Sequence, residues 1–150
     1  MARMSRDLIE VGLGWKYTAQ RLSTLIRDPG TVAIVACDAA RIEAYAVMRF
    51  GDEAAHLLLL CVRPERQRQG VGRCLIDWLL ASTRVAGVTS IQVELRAGNA
   101  PASAFYRSLG FVETALVERY YGGEFAARRM ALSLRPDEAL PRVPDRGPRP

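Results

Sequence analysis

The stretch from Leu57 to Ala86, LLLLCVRPERQRQGVGRCLIDWLLASTRVA, narrows the folds open to this chain more than any other. Leu57 to Val62 is a continuous apolar run of strand length, the pattern of a strand buried on both faces. Pro64 turns the chain and an arginine- and glutamine-rich loop follows. Gly70 and Gly72 then open an amphipathic helix from Val71 to Ala86, which Gly87 ends. Leu75, Trp78, Leu79 and Ser82 are its expected inner stripe. A strand that feeds a helix through a glycine loop belongs to an α/β sheet, with the loop at the strand's carboxyl end, where such sheets place ligands. The N–H groups of a first helical turn have no partner in the helix and lie at the positive end of its dipole. Glycine lets an anion approach them closely.

The rest of the chain fits around this unit. Asp7 to Val11 and Thr18 to Ile26 carry apolar residues at helical spacing, and Gly12 and Gly14 separate them. Trp15 and Tyr17, in that break, either cap the core or line a cleft. Thr31–Cys37, Ile42–Phe50 and Ala55–Val62 read as a three-stranded antiparallel meander. Beyond the helix, Ser90–Arg96 alternates as a strand and is expected parallel to Leu57–Val62 through a crossover. Asn99 is placed to cap a short helix, Ala100–Ser108. Two last strands, Val112–Glu118 and Phe125–Leu134, are joined by Tyr120-Tyr121-Gly122-Gly123. The expected class is therefore α/β, with a mixed, mostly antiparallel sheet, a central parallel pair and flanking helices. Residues 1–135 form one domain, and the proline- and arginine-rich residues 136–150 form a disordered tail.

Composition removes several functional classes. The chain is 49% hydrophobic and 25% charged, as soluble domains are. It has no apolar run of membrane-spanning length, and Met1 to Ile9 is too polar for a secretory leader, so a cytoplasmic protein without a membrane partner is expected. The odd count of three cysteines, Cys37, Cys61 and Cys74, lacks metal-ligand spacing, and the single histidine, His56, reads as a strand-edge residue. No metal site is expected. Net charge is +5. Arg63, Arg66, Arg68 and Arg73 against Glu65 concentrate +3 of it on the glycine loop. That suits a small polyphosphate better than nucleic acid, because aromatic residues are not interleaved with the arginines.

The loop is neither a Walker A sequence nor a full dinucleotide fingerprint. Gln67, Gly70 and Gly72 instead fill the pattern Q/R-x-x-G-x-G/A, after an apolar strand ending V-x-P. Asn99, Ala102, Tyr106, Gly110 and Phe111 fill N-x-x-A-x-x-x-Y-x-x-x-G-F. In both motifs and in their separation, the chain from about Ala55 to Leu134 resembles the GNAT superfamily of acyl-CoA-dependent N-acetyltransferases. Val93-Glu94-Leu95-Arg96-Ala97-Gly98-Asn99 and the Tyr120-Tyr121 pair are similar to the bacterial ribosomal-protein-alanine N-terminal acetyltransferases. The chain departs from that branch at Phe125-Ala126-Ala127-Arg128-Arg129, where acidic residues are more frequent, and in its N-terminal part, which lacks the usual first strand.

The resemblance implies a sheet splayed at the cofactor site and acetyl-CoA as co-substrate. It also implies direct transfer to a primary amine, most readily a protein or peptide N-terminus. A small amine as acceptor, or a non-catalytic acyl-CoA sensor, are the alternatives. Oligomeric state is not set by these motifs. By resemblance Glu94 is the general base and Tyr106 the general acid. An amine must be neutral to attack and a leaving thiolate needs a proton, so a carboxylate and a tyrosine suit these tasks. An ion pair between Glu94 and an arginine, and plain core packing of Tyr106, are the structural alternatives. Gln67, Arg68, Gln69, Gly70, Val71, Gly72 and Arg73 are expected to hold the pyrophosphate. The backbone of Cys61 and Val62 is expected to pair with the pantetheine amides, and the Val62 N–H to polarise the thioester carbonyl. Asn99 either binds the cofactor arm or only caps its helix. As a nucleophile Cys61 is disfavoured, because a cysteine in an apolar strand is usually inert.

Overall fold

The computed structural model describes residues 1–135; the expected tail, 136–150, lies outside the described residues. The chain begins with a short helix, α1 (Ala2–Met4), which widens into a π-helical turn (Ser5–Ile9). It continues through α2 (Ala19–Arg27), β1 (Thr31–Asp38), β2 (Arg41–Phe50), β3 (Ala54–Val62), a 3-10 turn (Pro64–Arg66) and α3 (Val71–Val85). Then come β4 (Ser90–Arg96), α4 (Ala100–Ser108), β5 (Val112–Tyr121) and β6 (Phe125–Ser133). The six strands form one sheet in the order β1-β2-β3-β4-β6-β5. Only β3 and β4 run parallel, and all other neighbours are antiparallel. This is the expected architecture, and no strand precedes β1 among the described residues.

The parallel pair is the centre of the fold and also its opening. Pairing runs only from Ala54↔Ser90 to Leu57↔Val93, although β3 continues to Val62 and β4 to Arg96. Across the other edge of β3, Met48 pairs with Leu57 while Val47 pairs with Leu59. Leu58 is thus an extra residue in β3. A bulge bends its strand and sharpens the twist, and this one lies where β3 parts from β4.

The bulge also reverses which face each residue presents. Ala55 and Leu57 pack with Leu75, Ile76, Leu79, Ile91, Val93 and Phe111 beneath α3 and α4. Past Leu58, Leu59 and Cys61 pack on the other face, with Met4, Leu22, Tyr45 and Val47 beneath α1 and α2.

Three local expectations are corrected. In α3 the buried residues are Leu75, Ile76, Leu79 and Thr83; Trp78 is half exposed and Ser82 only partly covered. The first helical segment starts at Ala2 rather than Asp7. Its last turn is widened because the Glu10 N–H bonds the Ser5 carbonyl (2.8 Å) while the Ser5 hydroxyl donates to the Glu10 carboxylate (2.9 Å). Finally, Tyr120 and Tyr121 belong to β5, and the turn is Gly122–Glu124. A register shift between Val117 and Tyr121, with Arg119 at φ 52°, re-aims this end of the strand.

Gly70 is the N-cap residue of α3 at φ 82°, and a Cβ built there would meet no atom within 4 Å. Gly70→Ala should therefore cost only left-handed backbone strain, about 1–2 kcal/mol. A thermal denaturation series would register it as a lowered Tm with native far-UV CD.

Candidate active site

At the glycine loop, intrahelical bonding in α3 begins with the Cys74 N–H to the Gly70 carbonyl (3.0 Å), and Gly70 supplies no side-chain cap. The Val71, Gly72 and Arg73 N–H groups form the open first turn. Gly72 is closely packed: a Cβ there would stand 3.3 Å from the Phe105 ring of α4, which would have to give by a few tenths of an ångström. The loop's own side chains shape it. Gln67 Nε2 donates to the Val62 carbonyl (3.0 Å) and Gln69 Nε2 to the Glu65 carbonyl (2.8 Å). Arg63 Nε donates to the Ile42 carbonyl, and Arg66 pairs with Asp38 and Glu43. Arg68 makes no ion pair among the described residues, and Arg73 reaches only the Ser108 carbonyl, at 3.4 Å. Among the described residues, the loop arginines without an ion pair are therefore Arg63, Arg68 and Arg73, with Arg63 held at the Ile42 carbonyl and Arg68 and Arg73 closest in sequence to the glycines.

At the strand end, the Arg63 N–H donates to the Glu43 carbonyl on the β2 side (2.9 Å). Strand backbone groups alternate in direction. The N–H groups of Leu60 and Val62 therefore face the gap left by β4. Cys61 points its side chain the other way, 3% exposed, with Sγ 3.9 Å from the Met4 carbonyl. Burial pushes its thiol up to about 11, so it stays protonated and unreactive at neutral pH.

The gap opens into a cleft of about 940 Å3 lined by both faces of the sheet. Glu94, Asn99 and Tyr106 all line it; Cys61, Val62 and the loop from Gln67 to Arg73 stand outside its lining. Glu94 is 10% exposed and uses both oxygens: Oε1 accepts from Arg129 Nε (2.9 Å), and Oε2 lies 2.6 Å from His56 Nε2. Arg129 stands directly opposite on β6, while His56 pairs in register with Gln92. The imidazole contact first, and then the guanidinium, hold the Glu94 carboxyl below its ordinary value against the opposing effect of burial. The ion pair considered from sequence is present, joined by a histidine read as a bland edge residue. Their juxtaposition follows from strand register, which no local motif encodes.

Tyr106 lies on the α4 side. Its ring packs edge-on against Phe105 and Phe111, each at 5.3 Å, and burial, with Tyr121 adding to it, raises its phenol well above the usual value. Asn99 Oδ1 accepts from the Ala102 N–H (3.1 Å), so the capping role is present.

The N-terminal segment closes the other side. Buried Glu10, missed in the sequence, accepts from the Lys16 N–H (2.6 Å) and the Tyr17 N–H (3.2 Å) and so folds the Gly12–Tyr17 loop over the cleft. Arg96 bonds the Val11 carbonyl and lies over the Phe125 ring (5.2 Å). Tyr17 lines the cleft, whereas Trp15 is exposed and donates its indole N–H to the Tyr17 carbonyl.

The family model described as "Acetyltransferase (GNAT) domain" matches residues 29–113. The chain belongs to the GNAT acetyltransferase family. Among curated proteins, this GNAT chain is 38% identical over 81 residues to the [Ribosomal protein bS18]-alanine N-acetyltransferase of Escherichia coli K12, a match covering 54% of this chain and 55% of that one. The chain thus spans about half the length of the curated relatives it matches. Among solved structures it is similar to Ard1 from Thermoplasma volcanium (TM-score 0.79, 27% identity, 90% of this chain and 89% of that one). It is also similar to the ribosomal-protein-S18-alanine N-acetyltransferase from Escherichia coli (TM-score 0.69, 28% identity, 81% and 83%).

Proposed function

We propose that this protein transfers an acetyl group from acetyl-CoA to the α-amino group at the N-terminus of a protein or peptide. The observation that carries the reading is the gap between β3 and β4. It joins an ionised carboxylate, Glu94, on one face of the sheet to a protonated phenol, Tyr106, on the other. The relatives named for N-terminal acetylation support it.

The residues present fit the co-substrate. The gap-facing N–H groups of Leu60 and Val62 suit an amide-bearing arm, and the open first turn of α3, with Arg68 and Arg73, suits a pyrophosphate. Acetyl-CoA supplies an activated acyl group on a thiol that leaves once protonated. The Val62 N–H would donate to the acyl oxygen as negative charge grows there. Glu94, steadied by His56 and Arg129, would accept a proton from the incoming ammonium, directly or through water. Tyr106, kept protonated by burial, would donate its phenolic proton to the departing sulfur and would be restored by the second proton that the nitrogen loses on becoming an amide.

Titration calorimetry with acetyl-CoA, followed by mass spectrometry of peptides and of a small-amine panel incubated with enzyme and acetyl-CoA, tests the reading. Cofactor binding and a gain of one acetyl group at peptide N-termini are expected. Turnover of small amines with untouched peptides would assign the acceptor to a different class. Binding without acetylation of anything would make the protein a sensor.

A further inference from the structure

The acceptor side of the cleft has an unbalanced charge. The charged side chains that line it are Glu10, Lys16, Arg21, Glu94 and Arg96, with His56 beside Glu94. Both carboxylates are fully engaged: Glu10 by the Ser5 hydroxyl and the Lys16 and Tyr17 N–H groups, Glu94 by His56 and Arg129. Arg96 is tied to the Val11 carbonyl. Lys16 and Arg21 remain. Both are exposed, and neither side chain makes an ion pair among the described residues; the Arg21 guanidinium rests on the Tyr17 ring at 5.5 Å. The exposed carboxylates of Glu118 and Glu124 do not line the cleft.

Tyr17 lines the same cleft as Glu94 and carries the Arg21 guanidinium on its ring, with Lys16 next to it in the loop. An acceptor whose amine meets Glu94 therefore has Lys16 and Arg21 on the lining of the cleft it occupies. We propose that Lys16 and Arg21 form a cationic rim that selects acceptors carrying carboxylate side chains in the residues that follow the acetylated amine. The inference rests on the N-terminal acetyltransferase reading and adds the chemical class of the acceptor to it. A basic residue at the same place would meet two exposed cations that make no ion pair and, among the described residues, no cleft-lining carboxylate without hydrogen-bond partners. Rim charges act mainly on association and are screened by salt.

The experiment uses the full chain, acetyl-CoA and three peptides that differ only at positions two and three: glutamates, glutamines or arginines. The expected order of kcat/KM is acidic, then neutral, then basic, with about a tenfold span between the ends at low ionic strength. The span should collapse at about 1 M salt, where the Debye length is about 3 Å. The double variant Lys16→Glu with Arg21→Glu should reverse the order while acetyl-CoA affinity stays unchanged. Lys16→Glu alone, an exposed site, should halve the preference or more if the double variant does not fold. Equal rates for the three peptides, or a preference for arginine in the wild type, would overturn the proposal. Cofactor binding with no peptide acetylated would overturn the underlying reading and this proposal with it, an outcome distinct from acetylation without charge preference.

Discussion

Glu94→Gln should lower kcat by about 10²- to 10⁴-fold, the range for loss of a general base, and leave acetyl-CoA affinity within about twofold by calorimetry. The substitution keeps the shape of the side chain. The amide oxygen can still accept from Arg129 Nε, and the amide nitrogen can face His56 if the imidazole presents an unprotonated Nε2, so the fold should survive. What disappears is the negative charge that takes up the proton. The pH behaviour separates this role from a structural one. Because His56 and Arg129 hold the Glu94 carboxyl low, it is already ionised through the neutral range. The acid limb of kcat/KM should then follow the acceptor's ammonium, near pH ~8, and should persist in Glu94→Gln at a reduced level. Stability runs with the same sign. A carboxylate whose folded pKa is depressed contributes stability that is full above its unfolded value and is lost as pH falls through the folded one. Wild type should thus lose more stability than Glu94→Gln on acidification below the carboxylate range, as denaturant melts would measure. An unchanged kcat in the variant would remove Glu94 from the chemistry.

The partners of Glu94 explain how far the sequence could be read. Strand order along the chain, the parallel step and the glycine loop are local or sequential signals: an apolar run, a proline, paired glycines, an asparagine before a helix. They carried over into the structure with boundaries shifted by a residue or a few. The bulge at Leu58 left no such signal. It lies inside Leu57-Leu58-Leu59-Leu60, where every position is apolar and an inserted residue disturbs no alternation. Yet this insertion turns Leu59 and Cys61 to the face opposite Leu57 and coincides with the parting of β3 from β4. His56 and Arg129 reach Glu94 from two neighbouring strands far apart in sequence, and only register brings them together.

The errors in α3 and β5 have local causes. Trp78 is large and apolar but leaves the stripe set by Leu75, Ile76, Leu79 and Thr83, and a buried threonine is a weak cue in a sequence. Its hydroxyl is satisfied inside the helix by the Leu80 carbonyl at 2.8 Å. Tyr120 and Tyr121 sit before two glycines and so read as turn residues, whereas the shifted register of β5 keeps both in the strand and on the cleft. Glu10 was invisible for another reason: its partners are backbone N–H groups of a loop that it itself organises.

Tyr106→Phe separates chemistry from packing in the other half of the mechanism. The ring is wedged edge-on between Phe105 and Phe111 at 5.3 Å on each side, and phenylalanine preserves both contacts. The side chain is only 6% exposed, so losing the hydroxyl removes one polar atom from an apolar site and should change stability by less than about 1 kcal/mol. The expected catalytic loss is about 10²-fold in kcat with the KM for acetyl-CoA nearly constant. Burial raises the phenol well above its ordinary value, which keeps the proton in place across the working pH range, so its transfer to sulfur has to be coupled to cleavage of the C–S bond. The penalty in Tyr106→Phe should therefore be largest for acyl donors with a poorly leaving alkyl thiolate and smallest for an activated aryl thioester, whose thiolate departs without a proton. A constant penalty across such donors would place Tyr106 in the wall of the cleft rather than in the proton path. Stopped-flow release of thiol from the two donor types, with wild type and variant at equal saturation, makes the comparison directly.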